Sequence, residues 1–402
     1  MTDRSQQMTR AIRVAIVGGG IGGLATAVAL KRRGIDATVF EQARALTEVG
    51  AGVQLQPNGT RLLQSLGLGD ALKSVAAPVG EGSAYFRQDG TPIAPIRTTD
   101  SQGRPGILGV HRADLVGILA DALPDDAVRT GHKSVGFEQT GSEATLSFEN
   151  GEQLTFDAVI AADGIHSALQ QYVVEPSEPV YSGSVAFRGY VPRELVPEWP
   201  DRVSLLWMGP DRHMLVYPLR GGELINYVGF VPRAQAAIES WSAPGDPDQL
   251  RAEFAGWDPR IQRLLEQVQE TFWWGLRDRA PLPRWTQGRL TLLGDAAHPM
   301  LPHLGQGANQ SIEDAATLGV LLDGATEHDV IHRLQTYEKI RLPRAARVQQ
   351  GARANGLRYD SAYVDLDQRD REIQESVTFR LSIFDYDALA VAEEAVGVRA
   401  LS

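Results

Sequence analysis

The 402-residue sequence contains no cysteine. That excludes disulfides, thiolate-bound metals and Cys-x-x-Cys redox chemistry together, so electrons moved by this chain would need a bound organic cofactor. No run approaches the roughly eighteen apolar residues needed to span a bilayer. The N-terminal MTDRSQQMTRAIRVAIVGGG has no cleavable apolar core, so the expected location is cytoplasmic, with no membrane partner. Basic residues are in deficit: 39 Lys and Arg against 50 Asp and Glu give a net charge of −11. Without a basic stripe to neutralise phosphates, nucleic acid is not an expected partner. No ligand cluster has metal spacing, so no metal is expected. Internal repeats and low-complexity tracts are also missing.

What is present has the composition of a globular protein, 43% apolar and 22% charged, and a length that calls for two or three subdomains. IRVAIVGGGIGGLATAVALKRRGIDATVFEQA reads as strand, glycine turn, helix, strand. Val14 to Val17 form a short buried strand, Leu24, Val28 and Leu30 line one side of a helix, and Gly34 ends it. The spacing Gly18-x-Gly20-x-x-Gly23, with Glu41 eighteen residues after Gly23, is a dinucleotide fingerprint. Gly18 permits the tight turn, Gly20 lets backbone amides approach a pyrophosphate, and Gly23 seats the helix on the strand. Glu41 can accept from ribose hydroxyls.

Further along, ATLSFENGEQLTF is a hairpin turning at Asn150-Gly151, and the next strand ends in Ala162-Asp163-Gly164, where a new helix should open. GVHRADLVGILADAL reads as a helix entered through Arg112, with Asp114 in its first turn. From about Tyr181 to Trp285 the texture changes to alternating strands, SVAFRGYV, VSLLWMG and RHMLVYPL, an inserted antiparallel sheet. GRLTLLGDAAH returns to a buried strand, followed by the rigid loop HPMLPHLGQGANQ leading into a helix; from about Ile340 the chain is charged and mainly helical. Asp163 and Asp295 taken alone could be helix caps, and Arg112 alone a surface cation.

Four motifs stand in order: Gly18 to Gly23 with Glu41, HRADL with Arg112, ADG with Asp163 and Gly164, and GDAAH followed by Pro302, Gly305, Gly307 and Asn309. Together they resemble the single-component (class A) FAD-dependent aromatic hydroxylases, over most of the chain up to about residue 345. YSGSVAFRGY, DRHMLVYPLRGGE and HPMLPHLGQGA resemble the salicylate hydroxylase, 3-hydroxybenzoate 6-hydroxylase and 6-hydroxynicotinate 3-monooxygenase group within it. The resemblance implies an α/β chain with a Rossmann-like FAD-binding domain, an inserted, mostly antiparallel β-sheet substrate domain and a C-terminal helical segment. The expected parts are FAD-binding at 1–76, 105–180 and 285–345, substrate-binding at 77–104 and 181–284, and helical at 346–402.

It also implies non-covalent FAD, with NADH or NADPH and O2 as co-substrates; the coenzyme has no second fingerprint of its own. Cofactor contacts would come from Gly18, Gly20, Gly22, Gly23, Glu41, Gln42, Arg112, Asp163, Gly164, Asp295, Pro302, Gly305, Gln306, Gly307, Ala308 and Asn309. Glu41 would take the adenosine ribose, Arg112 the pyrophosphate region and Asp295 the ribityl chain. Backbone amides of Gly305 to Ala308 would face the flavin pyrimidine edge, where a helix N-terminus suits the anion of the reduced ring. The implied reaction hydroxylates a small phenolic or hydroxylated aromatic acid through a flavin C4a-hydroperoxide.

In RHMLVYPL, period-2 alternation puts His213, Leu215 and Tyr217 on one sheet face. The relatives carry a histidine and a tyrosine there, and the 6-hydroxynicotinate type also has a histidine matching His303, so the resemblance makes His213, Tyr217 and His303 candidate catalytic residues. A base near the substrate hydroxyl has a purpose, because a phenolate reacts faster with electrophilic oxygen. Arg188, sharing a face with Ala186 and Tyr190, either anchors a substrate carboxylate or supports the flavin side. His298 reads as structural, and Trp207, Trp273 and Trp274 as packing. Gln54, Ser204 and Pro302 depart from the functional residues of particular relatives, which leaves the substrate open. Alternatives are a larger or non-carboxylated aromatic (natural-product phenol, quinolone or purine-like ring), an FAD reductase or dehydrogenase, and a non-catalytic nucleotide-binding protein. The C-terminal helices could serve a homodimer or be a solvated face.

Overall fold

A computed structural model of the chain describes residues 11–46, 52–234, 243–360 and 365–397. The first strand, Arg13–Val17, pairs in parallel with Asp36–Glu41 on one side and Ala158–Ala161 on the other. Leu290–Leu292 and Val128–Thr130 extend the parallel run, and Thr286–Gln287 adds an antiparallel edge, giving six strands. Ala15, Ile16, Val39, Val159 and Ile160 are fully buried, as strands covered on both faces require.

The crossover helix Ile21–Lys31 is buried from Gly23 to Leu30, and so is apolar all round, where the sequence suggested one apolar side. The reason is a second layer: Gly319 of helix Gly307–Leu322 packs so tightly that a Cβ there would lie 3.0 Å from Ala29 Cβ. Burying a side chain such as Leu24 or Leu30 stabilises by about 1.5–3 kcal/mol. Gly34, at φ +71°, turns the chain out of the helix, and the Asn150-Gly151 hairpin forms with Gly151 at φ +87°. One expectation fails: no α-helix opens after Asp163-Gly164. The chain runs on as a loop to the single 3-10 turn Gln170–Tyr172, because Asp163 Oδ2 accepts from Ala168 N at 2.9 Å and closes a loop rather than a cap.

The second large sheet has eight strands, in the order Pro244–Gly245, Thr271–Asp278, Val180–Pro192, Leu224–Pro232, Arg212–Leu219, Leu205–Gly209, Ala84–Arg87 and Pro92–Pro95. All pairs are antiparallel except Leu205–Gly209 with Ala84–Arg87. One face carries a core of Phe187, Trp207, Tyr227 and Phe254, covered by the helices Pro247–Glu253 and Pro259–Glu266 that strand alternation did not reveal. The other face turns toward the first domain. The chain is thus α/β, a Rossmann-like part joined to a mostly antiparallel sheet, with helices at the C-terminal end. The helix Val330–Asp360 passes through Pro343 and runs along both parts. No described helix is long and apolar enough to cross a membrane.

Candidate active site

One continuous cavity of about 760 Å³ connects the glycine turn, the loop before helix Gly307–Leu322 and the open face of the large sheet. Its nucleotide end is built by backbone that cannot carry side chains. Gly18 sits at φ +112°, where a Cβ would lie 2.3 Å from Ala162 O; at Gly23 it would lie 2.0 Å from Gly18 O. Gly20 differs: a Cβ there meets nothing within 4 Å, and its backbone borders the cavity. Glu41 accepts from Gly19 N and Ala43 N, both at 2.7 Å, which fixes its carboxylate at the end of its strand beside Gly18.

Gly18, Gly20, Gly22, Glu41, Gln42, Arg112, Asp163, Gly164, Asp295, Pro302, Gly305, Gln306, Gly307 and Ala308 all line this cavity. Gly23 and Asn309 do not. Gly23 seats the helix on its strand, and Asn309 ties two loops together by accepting from Gln56 N at 2.9 Å and donating to Gly305 O at 2.8 Å. Burial pushes the Asp163 carboxyl above its ordinary range, and its Oδ1 has no hydrogen-bond partner. Asp295 is accessible within the cavity yet deep in the molecule; the enclosing protein pushes its carboxyl up, against the pull of His298 and Arg112.

The loop at Gly305 to Ala308 is supported from behind by a fully buried polar network. No side chain caps helix Gly307–Leu322, and its first residues Gly307 and Ala308 line the cavity. One turn later Glu313 and Asp314 accept from Arg341 at 2.5 and 2.8 Å, and Arg344 reaches Glu313 at 3.0 Å. His298 Nε2 lies 2.6 Å from Asp314, which also receives Gly294 N, so His298 is structural as expected.

At the other end His213, Leu215 and Tyr217 line the wall together, as the alternation predicted. The His213 ring stacks on Phe230 with centroids 4.1 Å apart, and its Nδ1 lies 2.5 Å from Asp360 Oδ1. With the carboxylate accepting from Nδ1–H, Nε2 is the basic nitrogen. His303 stands 5.1 Å from His213, its ring seated against Gly356, where a Cβ would come within 2.4 Å. Burial, then the neighbouring His213, lower the His303 pKa well below 6.5. Burial raises the Tyr217 hydroxyl above its ordinary 10.0 against Arg188, so it stays protonated; bare Gly52 makes room for it. Arg188 borders the cavity with its guanidinium 4.6 Å from the Trp274 ring, which gives Trp274 a place in the wall that packing alone did not predict. Trp207 and Trp273 stay with the core behind the sheet. Gln54 and Ser204, two of the three departures, also line the cavity and hydrogen-bond to each other at 3.2 Å. Sequence reasoning missed Asp360, Tyr85, Tyr359 and Arg380, which come from the long helix, a strand outside the motifs and the C-terminal helices.

Residues 11–352 match the FAD binding domain family. The chain is 40% identical over 354 residues to 3-amino-4-hydroxybenzoate 2-monooxygenase of Streptomyces cremeus, 86% of each protein. It is 38% identical over 378 residues to a salicylate hydroxylase of Pseudomonas putida, covering 87% of this chain and 86% of that one. The chain belongs to the FAD-dependent aromatic hydroxylases. A solved salicylate hydroxylase substrate complex superposes with a TM-score of 0.82 at 29% identity, covering 95% of this chain and 97% of that one. The aminohydroxybenzoate relative was not foreseen from the sequence.

The residues present fit this family's cofactor. Gly20 and Gly307 leave open space where a ring or phosphate must approach, the helix N-terminus is uncapped, and Asp163 Oδ1 lacks a partner. FAD would be held by the glycine turn, Glu41, Arg112, Asp163, Asp295 and the Gly305 to Ala308 backbone. Bound there, it supplies hydride acceptance from reduced nicotinamide and activation of O2.

Proposed function

We propose that this hydroxylase inserts one oxygen atom into a small aromatic acid bearing a ring hydroxyl, with the ring held between the Gly305 to Ala308 loop and the His213–Tyr217 wall. The observation that carries the proposal is the single cavity joining a bare helix N-terminus to a histidine braced by a carboxylate. In this reading His213 Nε2 takes the substrate's phenolic proton, and the resulting phenolate directs its electron density to the ring carbon that accepts oxygen. The second oxygen atom leaves as water, and the reduced nicotinamide supplies the two electrons. Tyr217 donates its permanently held proton to orient the substrate oxygen, and neutral His303 closes the pocket without adding charge. The stacked Phe230 and the wall residue Leu215 keep water out. Named activities of the relatives support a hydroxylated benzoate or pyridine acid as the class.

The same proposal assigns 1–76, 105–180 and 285–345 to cofactor binding and 77–104 and 181–284 to substrate binding. Support comes from Ala84–Arg87 and Pro92–Pro95 joining the large sheet. A cytoplasmic location belongs to it too. The test is a panel of salicylate, 3-hydroxybenzoate, 3-amino-4-hydroxybenzoate and 6-hydroxynicotinate with NADH or NADPH, following O2 uptake and product mass. One O2 consumed per hydroxylated product supports the reading. Nicotinamide oxidation that yields only peroxide with every compound removes it, and product formed without O2 uptake would indicate a dehydrogenase.

A further inference from the structure

We propose that Arg380, with Tyr85 and Tyr359, forms the anion-recognition end of the substrate pocket and takes the substrate carboxylate; this rests on the hydroxylase reading above. Arg380 lies on the C-terminal helix Val377–Phe384, outside every motif of the sequence, yet it lines the same cavity as His213. Its Nη2 donates to Tyr85 Oη at 2.8 Å, and Tyr359 lies beside it. The surrounding wall is apolar: Leu206, Leu215 and Ile96 pack with the two tyrosines.

Among the described residues, no carboxylate lies within ion-pair distance of Arg380. Arg341 and Arg344, on the neighbouring helix, are by contrast neutralised by Glu313 and Asp314 at 2.5–3.0 Å. A guanidinium in an apolar wall without counter-charge is costly. Two phenol oxygens use at most two of its five N–H donors, leaving a fork that matches a carboxylate. The base and the cation share one wall. The Tyr359 ring stands 5.2 Å from His213 and 6.2 Å from Tyr85, the tyrosine to which Arg380 donates. Arg188 is placed differently, stacked on Trp274 and close to Tyr217.

The test titrates FAD-loaded protein with salicylate and 3-hydroxybenzoate and with their methyl esters, following the change in flavin absorbance. The parent should bind each acid more tightly than its ester. In Arg380→Gln the acid Kd should rise on the order of 10- to 100-fold while the ester Kd stays, erasing the preference. Arg188→Gln should keep the preference. If Arg380→Gln retains it, or if only Arg188→Gln erases it, the proposal is overturned. Should Arg380→Gln not fold, Arg380→Lys decides: a weaker acid Kd with an unchanged ester Kd supports the fork, and an unchanged acid Kd overturns it. Product mass is read separately, so a lost preference in a protein that hydroxylates nothing would sink the hydroxylase reading and leave the anion site standing.

Discussion

His213 Nδ1 and Asp360 Oδ1, 2.5 Å apart, join a strand of the substrate sheet to the last residue of a 31-residue helix. The carboxylate fixes the imidazole's tautomer and the Phe230 stack fixes its plane. His213→Ala should therefore lower kcat for hydroxylated product by about 10²- to 10⁴-fold. Asp360→Asn keeps an acceptor but drops the charge, and should cost less, on the order of 10-fold. Single-turnover product formation checks both. An alanine variant within threefold of the parent would remove His213 from the chemistry.

Two glycines of one motif should fail in different ways. Gly20, at φ −76°, has open space where a side chain would go, so Gly20→Val should fold normally as apoprotein and lose most of its flavin. Gly23→Ala would drive a methyl into Gly18 O and should destabilise the fold, with or without FAD. Apoprotein melting temperature and the flavin-to-protein absorbance ratio separate the two. Equal thermal losses would contradict the division.

These contrasts mark how far the sequence could be read. The glycine turn, Glu41, Arg112 and the Gly294 to Asn309 stretch were legible because tight turns and close backbone packing impose residue types at fixed spacing. His213 and Tyr217 were legible because a strand presents every second residue to one face. Asp360, Tyr359 and Arg380 were not, since their positions depend on how a long helix and the short helices after it pack back onto the sheet. No local pattern encodes that return. The helix expected after Gly164 failed for a related reason: an Asp-Gly pair closes a loop as readily as it opens a helix.

Asp314 should make a pH-dependent contribution to stability. Burial pushes its carboxyl up, but His298 and Arg341 pull it further down, to about 2 from an ordinary 3.8. A carboxylate depressed in the folded state stabilises fully above its unfolded value. That contribution is then lost as pH falls from about 4 toward 2. At pH 7, Asp314→Asn takes away one of the two carboxylates on Arg341, leaving Glu313, and the hydrogen-bond partner of His298, and should cost about 3 kcal/mol. Denaturant melts at pH 7 and pH 3 check it: the gap between parent and variant should narrow at the lower pH, and a constant gap would assign the loss to packing.

His303 should act in the opposite range. Held well below 6.5 by burial and by His213, it stays neutral in the folded chain while the unfolded chain takes up a proton as pH drops. The unfolded state then binds more protons, so stability falls with falling pH, by at most about 1.4 kcal/mol per pH unit from this one group. His303→Gln removes the titration but also disturbs the seat against Gly356. The two effects differ in form: lost packing lowers stability by the same amount at every pH, whereas lost titration flattens the slope below pH 6.5. Unfolding free energies at pH 7.5, 6.5 and 5.5 should show the variant losing less than the parent over the last step. Parallel slopes would mean that His303 is protonated in the folded protein, and the pocket would then carry a positive charge next to the base.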